Sequence, residues 1–402
     1  VILAIDVGGT KMAAGLVTHD GTVARSARVA TPQGADAETL WKTLAALVEP
    51  LAEGVDGVGV GCGGPMAWPG GEVSPLNIPG WRGFPLRARL AGRFPGLPVR
   101  LHNDAICLAV AEHWKGAGQG SADMLGMVVS TGVGGGLILD GRLVNGGTGN
   151  AGHIGHVVVE PEGGPRCGCG GHGCLEAVAR GPALTSWALS QGWIPSTTSS
   201  PEPAPISPAP AATARAVAEA EAGGAAPTAT LQAAPGTAPH SGSPLAAHAM
   251  PGAAPQPAPG SEVRGEAEVQ DDGAYRGEGV YQDDEAYRED RPVTARMLAA
   301  DARAGDPAAV RAMRRAGRAL GIAIASATHL CDLDVVTIGG GLSQAGEPLF
   351  GPLDEALREH ARMGFARRVK VVPAALGQEA GLIGAAALIL AGESYWTPAR
   401  DH

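Results

Sequence analysis

Three cysteines fall within eight residues in Cys167-Gly-Cys169-Gly-Gly-His-Gly-Cys174, and His156 lies eleven positions upstream of the first. Three thiolates and one imidazole make the closed tetrahedral shell of a structural zinc ion, with no position left open for chemistry. His172 and His153 are alternative nitrogen donors, His172 the weaker because it falls inside the cysteine loop. Two glycine-threonine bends each follow an apolar strand. In Asp6-Val7-Gly8-Gly9-Thr10-Lys11 the glycines let backbone N–H groups point into a concave bend, Thr10 adds a hydroxyl, and Asp6 can hold a magnesium ion through water. Ser130-Thr131-Gly132-Val133-Gly134-Gly135-Gly136 has the same composition after a second strand. Either bend alone also reads as a glycine-rich hairpin; together they point to phosphate. Neither matches the Walker pattern. At Asn103-Asp104 a strand gives way to a helix, so Asp104 is either an N-cap or a carboxylate that takes the proton of an attacking hydroxyl.

These residues need elements to carry them. Val1 to Ile5 and Ala13 to Val17 read as strands, with a hairpin turn at Asp20-Gly21, and Leu40, Leu44, Leu47 and Leu51 mark one face of a helix over 37–51. A second cycle runs through Val99 to Leu101 as strand, Asp104 to Trp114 as helix and Met124 to Val129 as strand. The bend from Thr131 to Gly136 follows, then Leu137 to Leu139 and a second Asp-Gly turn at Asp140-Gly141. Strand, glycine-rich bend, strand and turn thus occur twice, which predicts two related α/β lobes facing a cleft. Asp306-Pro307 opens a long helix to His329. The strand Asp334 to Ile338 runs into Gly339-Gly340-Gly341, where a ligand can approach the backbone closely. A strand at 369–372 and a helix from Gly381 to Leu390 complete the pattern.

The chain has 402 residues, 45% hydrophobic, with a net charge of −10, which argues against nucleic-acid affinity built on a basic surface. Between Pro195 and Arg291 fourteen acidic residues stand against five arginines, a balance of −9. Residues 195–292 are Pro/Ala-rich, then acidic, and echo Gln270-Asp-Asp-Gly-Ala-Tyr-Arg276 at Gln282-Asp-Asp-Glu-Ala-Tyr-Arg288; this composition predicts a disordered insert. With no apolar run of 18 residues and no leader pattern, the expectation is a cytoplasmic protein without membrane partners. Cys62, Cys107 and Cys331 lie among apolar residues and read as buried packing thiols.

The motifs, in this order, resemble those of the ROK family of bacterial sugar kinases and sugar-responsive repressors. Asp6 to Lys11 is similar to its first phosphate loop, Asn103-Asp104-Ala105 to its catalytic segment, and Gly149 to His156 with Cys167 to Glu176 to its sugar and zinc signature. Gly339 and the helix start at Gly381 resemble its adenosine-side elements. The resemblance implies a two-lobed actin-like, hexokinase-like (ribonuclease H-like) fold. One lobe would span residues 1–115, and the other 116–194 with 293–394. It further implies a homodimer that phosphorylates a hexose at its 6-hydroxyl with ATP, magnesium and structural zinc. Asp104 would be the general base. Gly64, Asn77, Asn103, His153, His156 and Glu176 would contact the sugar, and Gly8, Gly9, Thr10, Lys11, Thr131, Gly132, Gly134, Gly339 and Gly340, with Asp6, would serve the nucleotide. Many family glucokinases carry Glu at the position of His153, whereas His resembles the N-acetylmannosamine kinases, so glucose and N-acetylmannosamine both stay open. Polyphosphate stays open as donor. Family repressors add an N-terminal helix-turn-helix, and this chain begins at its first strand, which favours a kinase over a repressor or a silent sugar sensor.

Overall fold

The segment Ile2–Val7 (β1) is apolar on both of its alternating faces, which suits a strand covered on both sides. The computed structural model, which describes residues 1–196 and 293–395, gives it that place. β1 forms an antiparallel meander with Lys11–Val17 (β2) and Val23–Ala30 (β3). The helix Ala37–Val48 (α1) follows, capped by Asp36, whose carboxylate accepts from the Thr39 N–H at 2.7 Å. Its buried stripe is Leu40, Leu44 and Val48; Leu47 is only half-buried, and Leu51 belongs to a short turn that begins at Glu49-Pro50. Proline at 50 lacks the N–H that would continue the helix. Gly57–Cys62 (β4) pairs parallel to β1. A small hairpin, Met66–Ala67 (β5) with Glu72–Val73 (β6), and the helix Leu86–Arg93 (α2) precede Val99–Asn103 (β7), which pairs parallel to β4. The sheet order is β3-β2-β1-β4-β7.

After the helix Asp104–Lys115 (α3) the scheme repeats. Met124–Val129 (β8), Val133–Leu139 (β9) and Arg142–Leu143 (β10) form a meander. Asp140 and Gly141, at φ of 52° and 68°, make the tight turn between β9 and β10. The helices Leu175–Ala179 (α4), Gly181–Ser190 (α5), Ala295–Ala304 (α6) and Pro307–Cys331 (α7) come next, then Val335–Gly339 (β11), Glu347–His360 (α8), Lys370–Pro373 (β12) and Ala380–Leu390 (α9). The second sheet runs β10-β9-β8-β11-β12, the same topology as the first. The doubled pattern expected from the sequence is therefore a doubled sheet.

Two details differ from the sequence reading. Gly134, Gly135 and Gly136 lie in β9, paired with Val128, Met127 and Gly126, and are not part of a bend. Methyl groups built on Gly134 and Gly136 would come within 2.7 Å of the Ala105 Cβ and 2.8 Å of the Ala109 Cβ, so close seating of α3 accounts for these glycines. Cys62 and Cys107 are buried as expected, whereas Cys331 is half-buried.

The two lobes exchange helices. α3 follows the last strand of the first sheet but packs on β8 and β9 of the second. α9 follows the last strand of the second sheet but covers β1 and β4 of the first, Leu382, Ala385 and Ala386 meeting Ile2 and Ala4. The two helices also pack on each other. A methyl on Gly59 would stand 1.9 Å from the Ala385 carbonyl oxygen, and one on Gly384 1.8 Å from that of Cys107, so only glycine permits the approach. The outer faces carry larger cores, with α1 and α2 over the first sheet and α5 to α8 over the second.

Of the stretch 195–292, only Pro195 and Ser196 are described; the Ser196 amide donates to the Asp301 carboxylate at 3.0 Å. The rest of the stretch, its acidic part and its repeated motif included, lies outside the described residues. Among the described residues no helix is long and apolar enough to cross a membrane.

Candidate active site

Both glycine-threonine loops occupy the same topological place, the tip of the first hairpin in each sheet. In the β1–β2 tip the Gly8 N–H donates to the Lys11 carbonyl at 3.0 Å, and Thr31 and Gln33 donate to the Gly8 and Gly9 carbonyls. In the β8–β9 tip the Ser130 N–H donates to the Gly132 carbonyl at 2.9 Å. Among the described residues the N–H groups of Gly9, Thr10, Thr131 and Gly132 have no acceptor. That arrangement suits an anion. Gly340 stands beside the second tip at φ 93°, where a methyl would meet the Val129 carbonyl oxygen at 2.3 Å; Gly339 ends β11.

Asp6 sits near the end of β1 on the face covered by α9, close to Gly381, whose methyl would stand 2.6 Å from its Oδ2. Burial pushes its carboxyl up to about 7, the Asp104 charge adds to the rise, and Lys11 opposes it. Asp104 is the first residue of α3. The N-cap is Asn103, whose side chain accepts from the Ala105 N–H at 3.0 Å, and Asp104 Oδ1 accepts from the same N–H at 2.8 Å. The capping role open in the sequence thus falls to Asn103. Burial raises the Asp104 carboxyl, helped by the Glu176 charge and opposed by the backbone N–H bonds.

Around this pair the other expected residues gather. A methyl on Gly64 would lie 2.9 Å from Asn103 Nδ2 and 3.5 Å from His153 Cε1, which brings those three together. Asn77 lies against Gly9 and Gly63, between the first loop and Gly64. Glu176 Oε2 accepts from the Val133 N–H at 2.9 Å and faces Gly132, so this carboxylate fixes the second tip. His153 and His156 stack, ring centroids 6.1 Å apart, and His153 Nε2 is buried with no hydrogen-bond partner among the described residues. Burial and His156 both lower the His153 imidazole, which favours its neutral form.

The donor atoms of His156, Cys167, Cys169 and Cys174 all lie within 4.8 Å of one another; His172 and His153 are not in the group. Cys169 and Cys174 sulfurs are 3.8 Å apart, and Cys167 Sγ is 3.6 Å from His156 Nδ1. Tetrahedral bonds of about 2.3 Å to sulfur and about 2.0 Å to nitrogen require edges of about 3.8 and 3.5 Å, so the donors fit such an ion. With Nδ1 turned to the cysteines, His156 keeps Nε2 for another partner.

His102 and Asn145 carry no motif, yet both join the site. His102 is fully buried at the end of β7, with Nε2 2.8 Å from Asn145 Oδ1 and Nδ1 accepting the Asn103 N–H at 2.9 Å. The one available signal was a histidine abutting Asn103-Asp104 in an apolar strand. Burial pushes His102 down to about 4, against a partial lift from Asn145. The ordinary value is 6.5, so between 6.5 and 4 the unfolded chain binds a proton that the folded chain refuses. Stability should therefore fall by about 3 kcal/mol on acidification through that window. Urea unfolding followed against pH checks this: the slope should flatten in His102→Gln, and an unchanged slope refutes it.

The ROK family model matches residues 2–222 and 276–391. The glucokinase of Thermotoga maritima is 29% identical over 392 residues, 96% of each chain. The N-acetylmannosamine kinase of Escherichia coli O157:H7 is 41% identical over 192 residues, 47% of this chain and 64% of that protein. Among solved structures, a ROK family glucokinase from Streptomyces griseus in complex with glucose and AMPPNP superposes with a TM-score of 0.64 at 29% identity, covering 96% of this chain and 98% of that one.

Proposed function

The chain belongs to the ROK family, and we propose that it is an ATP-dependent kinase acting on the 6-hydroxyl of a hexose. The observation that carries this reading is Asp104: a half-buried carboxylate at the start of α3, one oxygen accepting from the Ala105 N–H, in electrostatic reach of Asp6 and Glu176. Burial makes it a stronger base than an ordinary carboxylate. Asp104 accepts the hydroxyl proton as that oxygen attacks the γ-phosphorus, and ADP departs. The N–H groups of Gly9, Thr10, Thr131 and Gly132 face the phosphates and stabilise the charge on the transferring group. Asn103, His153, Glu176 and the second nitrogen of His156 orient the sugar, with Gly64 and Asn77 lining the approach.

Asp6 would hold magnesium through water, and that ion supplies positive charge to the phosphates. His156 with Cys167, Cys169 and Cys174 would hold zinc, which supplies no reactive position and fixes the His156 ring toward the sugar.

For the sugar, the buried and unpartnered His153 Nε2 favours an acetamido substrate, N-acetylmannosamine, over glucose. A neutral imidazole can donate to the acetamido carbonyl, where a carboxylate only accepts. The test is ADP release by the purified protein with glucose, mannose, fructose, N-acetylglucosamine and N-acetylmannosamine, and product formation with polyphosphate in place of ATP. Sugar-dependent ADP release is expected, highest with N-acetylmannosamine. No release with any sugar would overturn the kinase reading in favour of a silent sensor, and a preference for glucose would overturn the role given to His153.

A further inference from the structure

Each ring nitrogen of His102 has a hydrogen-bond partner, and the two lead to different lobes. An amide N–H only donates, so the Asn103 bond at 2.9 Å requires Nδ1 to be the acceptor. The ring proton then lies on Nε2 and donates to Asn145 Oδ1 at 2.8 Å. Asn103 caps α3 and adjoins Asp104 in the first half of the chain's fold, whereas Asn145 follows β10 of the second sheet. Trp68 stacks on the ring, centroids 5.2 Å apart and planes 25° from parallel. The same stretch of the second lobe is pinned again five residues on, where the Asn150 side chain donates to the Met66 carbonyl at 3.0 Å and accepts from its N–H at 3.3 Å. Three residues later comes His153.

We infer that His102 is a positioning residue that ties the segment bearing Asp104 to the loop bearing His153, with one hydrogen bond from each ring nitrogen. The inference rests on the kinase reading for its rate effects, and on the geometry alone for the tether. Only the neutral ring with its proton on Nε2 satisfies both partners. A sugar seated on the His153 loop is thereby held in register with the base, because the two segments share one rigid side chain.

Two conservative variants break one bond each. In His102→Asn the amide oxygen takes the place of Nδ1 and the shortened side chain no longer reaches Asn145. In His102→Gln the amide nitrogen takes the place of Nε2 and nothing accepts from Asn103. With the preferred sugar, His102→Gln should lower kcat about tenfold and hold KM, the worth of one hydrogen bond felt at the base. His102→Asn should raise KM about tenfold and hold kcat within about twofold, and Asn145→Ala should do the same. Asn145 is only half-buried, so its variant tests the tether even where a His102 variant fails to fold. A wild-type KM in Asn145→Ala, or one shared kinetic profile for His102→Asn and His102→Gln, would overturn the assignment. Amide exchange gives a readout independent of turnover: the Asn103 amide should exchange faster in His102→Gln than in wild type, and in His102→Asn it should not. A wild-type protein inactive on every sugar refutes the kinase reading, and the tether then stands or falls on whether His102→Gln accelerates exchange at Asn103.

Discussion

Asp104→Asn is expected to lower turnover by at least about 10²-fold while sugar affinity stays near that of wild type. Asparagine is isosteric, and its Oδ1 can still accept the Ala105 N–H that Asp104 Oδ1 accepts at 2.8 Å, so the start of α3 is preserved. What is lost is the capacity to take a proton. The substitution also removes a charge that burial disfavours, so the variant should melt no lower than the parent. Low turnover therefore cannot be blamed on unfolding. Steady-state kinetics with sugar titration by calorimetry checks the pair of expectations. Turnover within about threefold of wild type would remove Asp104 as the base.

The second large effect is at the cysteine cluster. Cys169→Ser should abolish tight metal binding, since the remaining His156, Cys167 and Cys174 leave the tetrahedron open. Without the metal the segment 160–174 keeps its backbone bonds, Gly173 accepting from Val159 and Glu160 and donating to Pro165, and Cys167 donating to Gly171, together with Arg315 binding Glu160 at 2.9 Å. Metal content by elemental analysis should fall from about one ion per chain to near zero, and sugar KM should rise about tenfold or more as His156 loses its orientation. His172→Ala should change neither quantity. Metal retained in Cys169→Ser, or lost in His172→Ala, would overturn the ligand set.

The cluster was legible because its spacing is short: eight residues hold three thiols, and the only open choice, among His153, His156 and His172, was one of geometry. The paired topology was legible for a similar reason, since each hairpin announces its own turn. Glycine is where sequence reading reached its limit. A missing Cβ admits the Asn77 side chain at Gly9 and a packed helix at Gly136, and composition alone cannot separate such reasons from a bend built for a ligand. Contacts between distant positions were invisible. Nothing near Gly59 says that Ala385 will press on it, and nothing in Leu101-His102-Asn103 says that the histidine will reach Asn145.

The exchanged helices constrain the order in which the molecule can be built. The inner face of the first sheet, with Ile2, Ala4 and Val17, is covered by Leu382, Ala385 and Ala386, residues that follow it by several hundred positions in the chain. Until those residues are in place that face is exposed, and α3 has left its own lobe to lie on β8 and β9. The first sheet therefore cannot complete its folding before residues 380–390 emerge, and a nascent chain stalled before residue 380 would present a sticky apolar surface suited to chaperone capture.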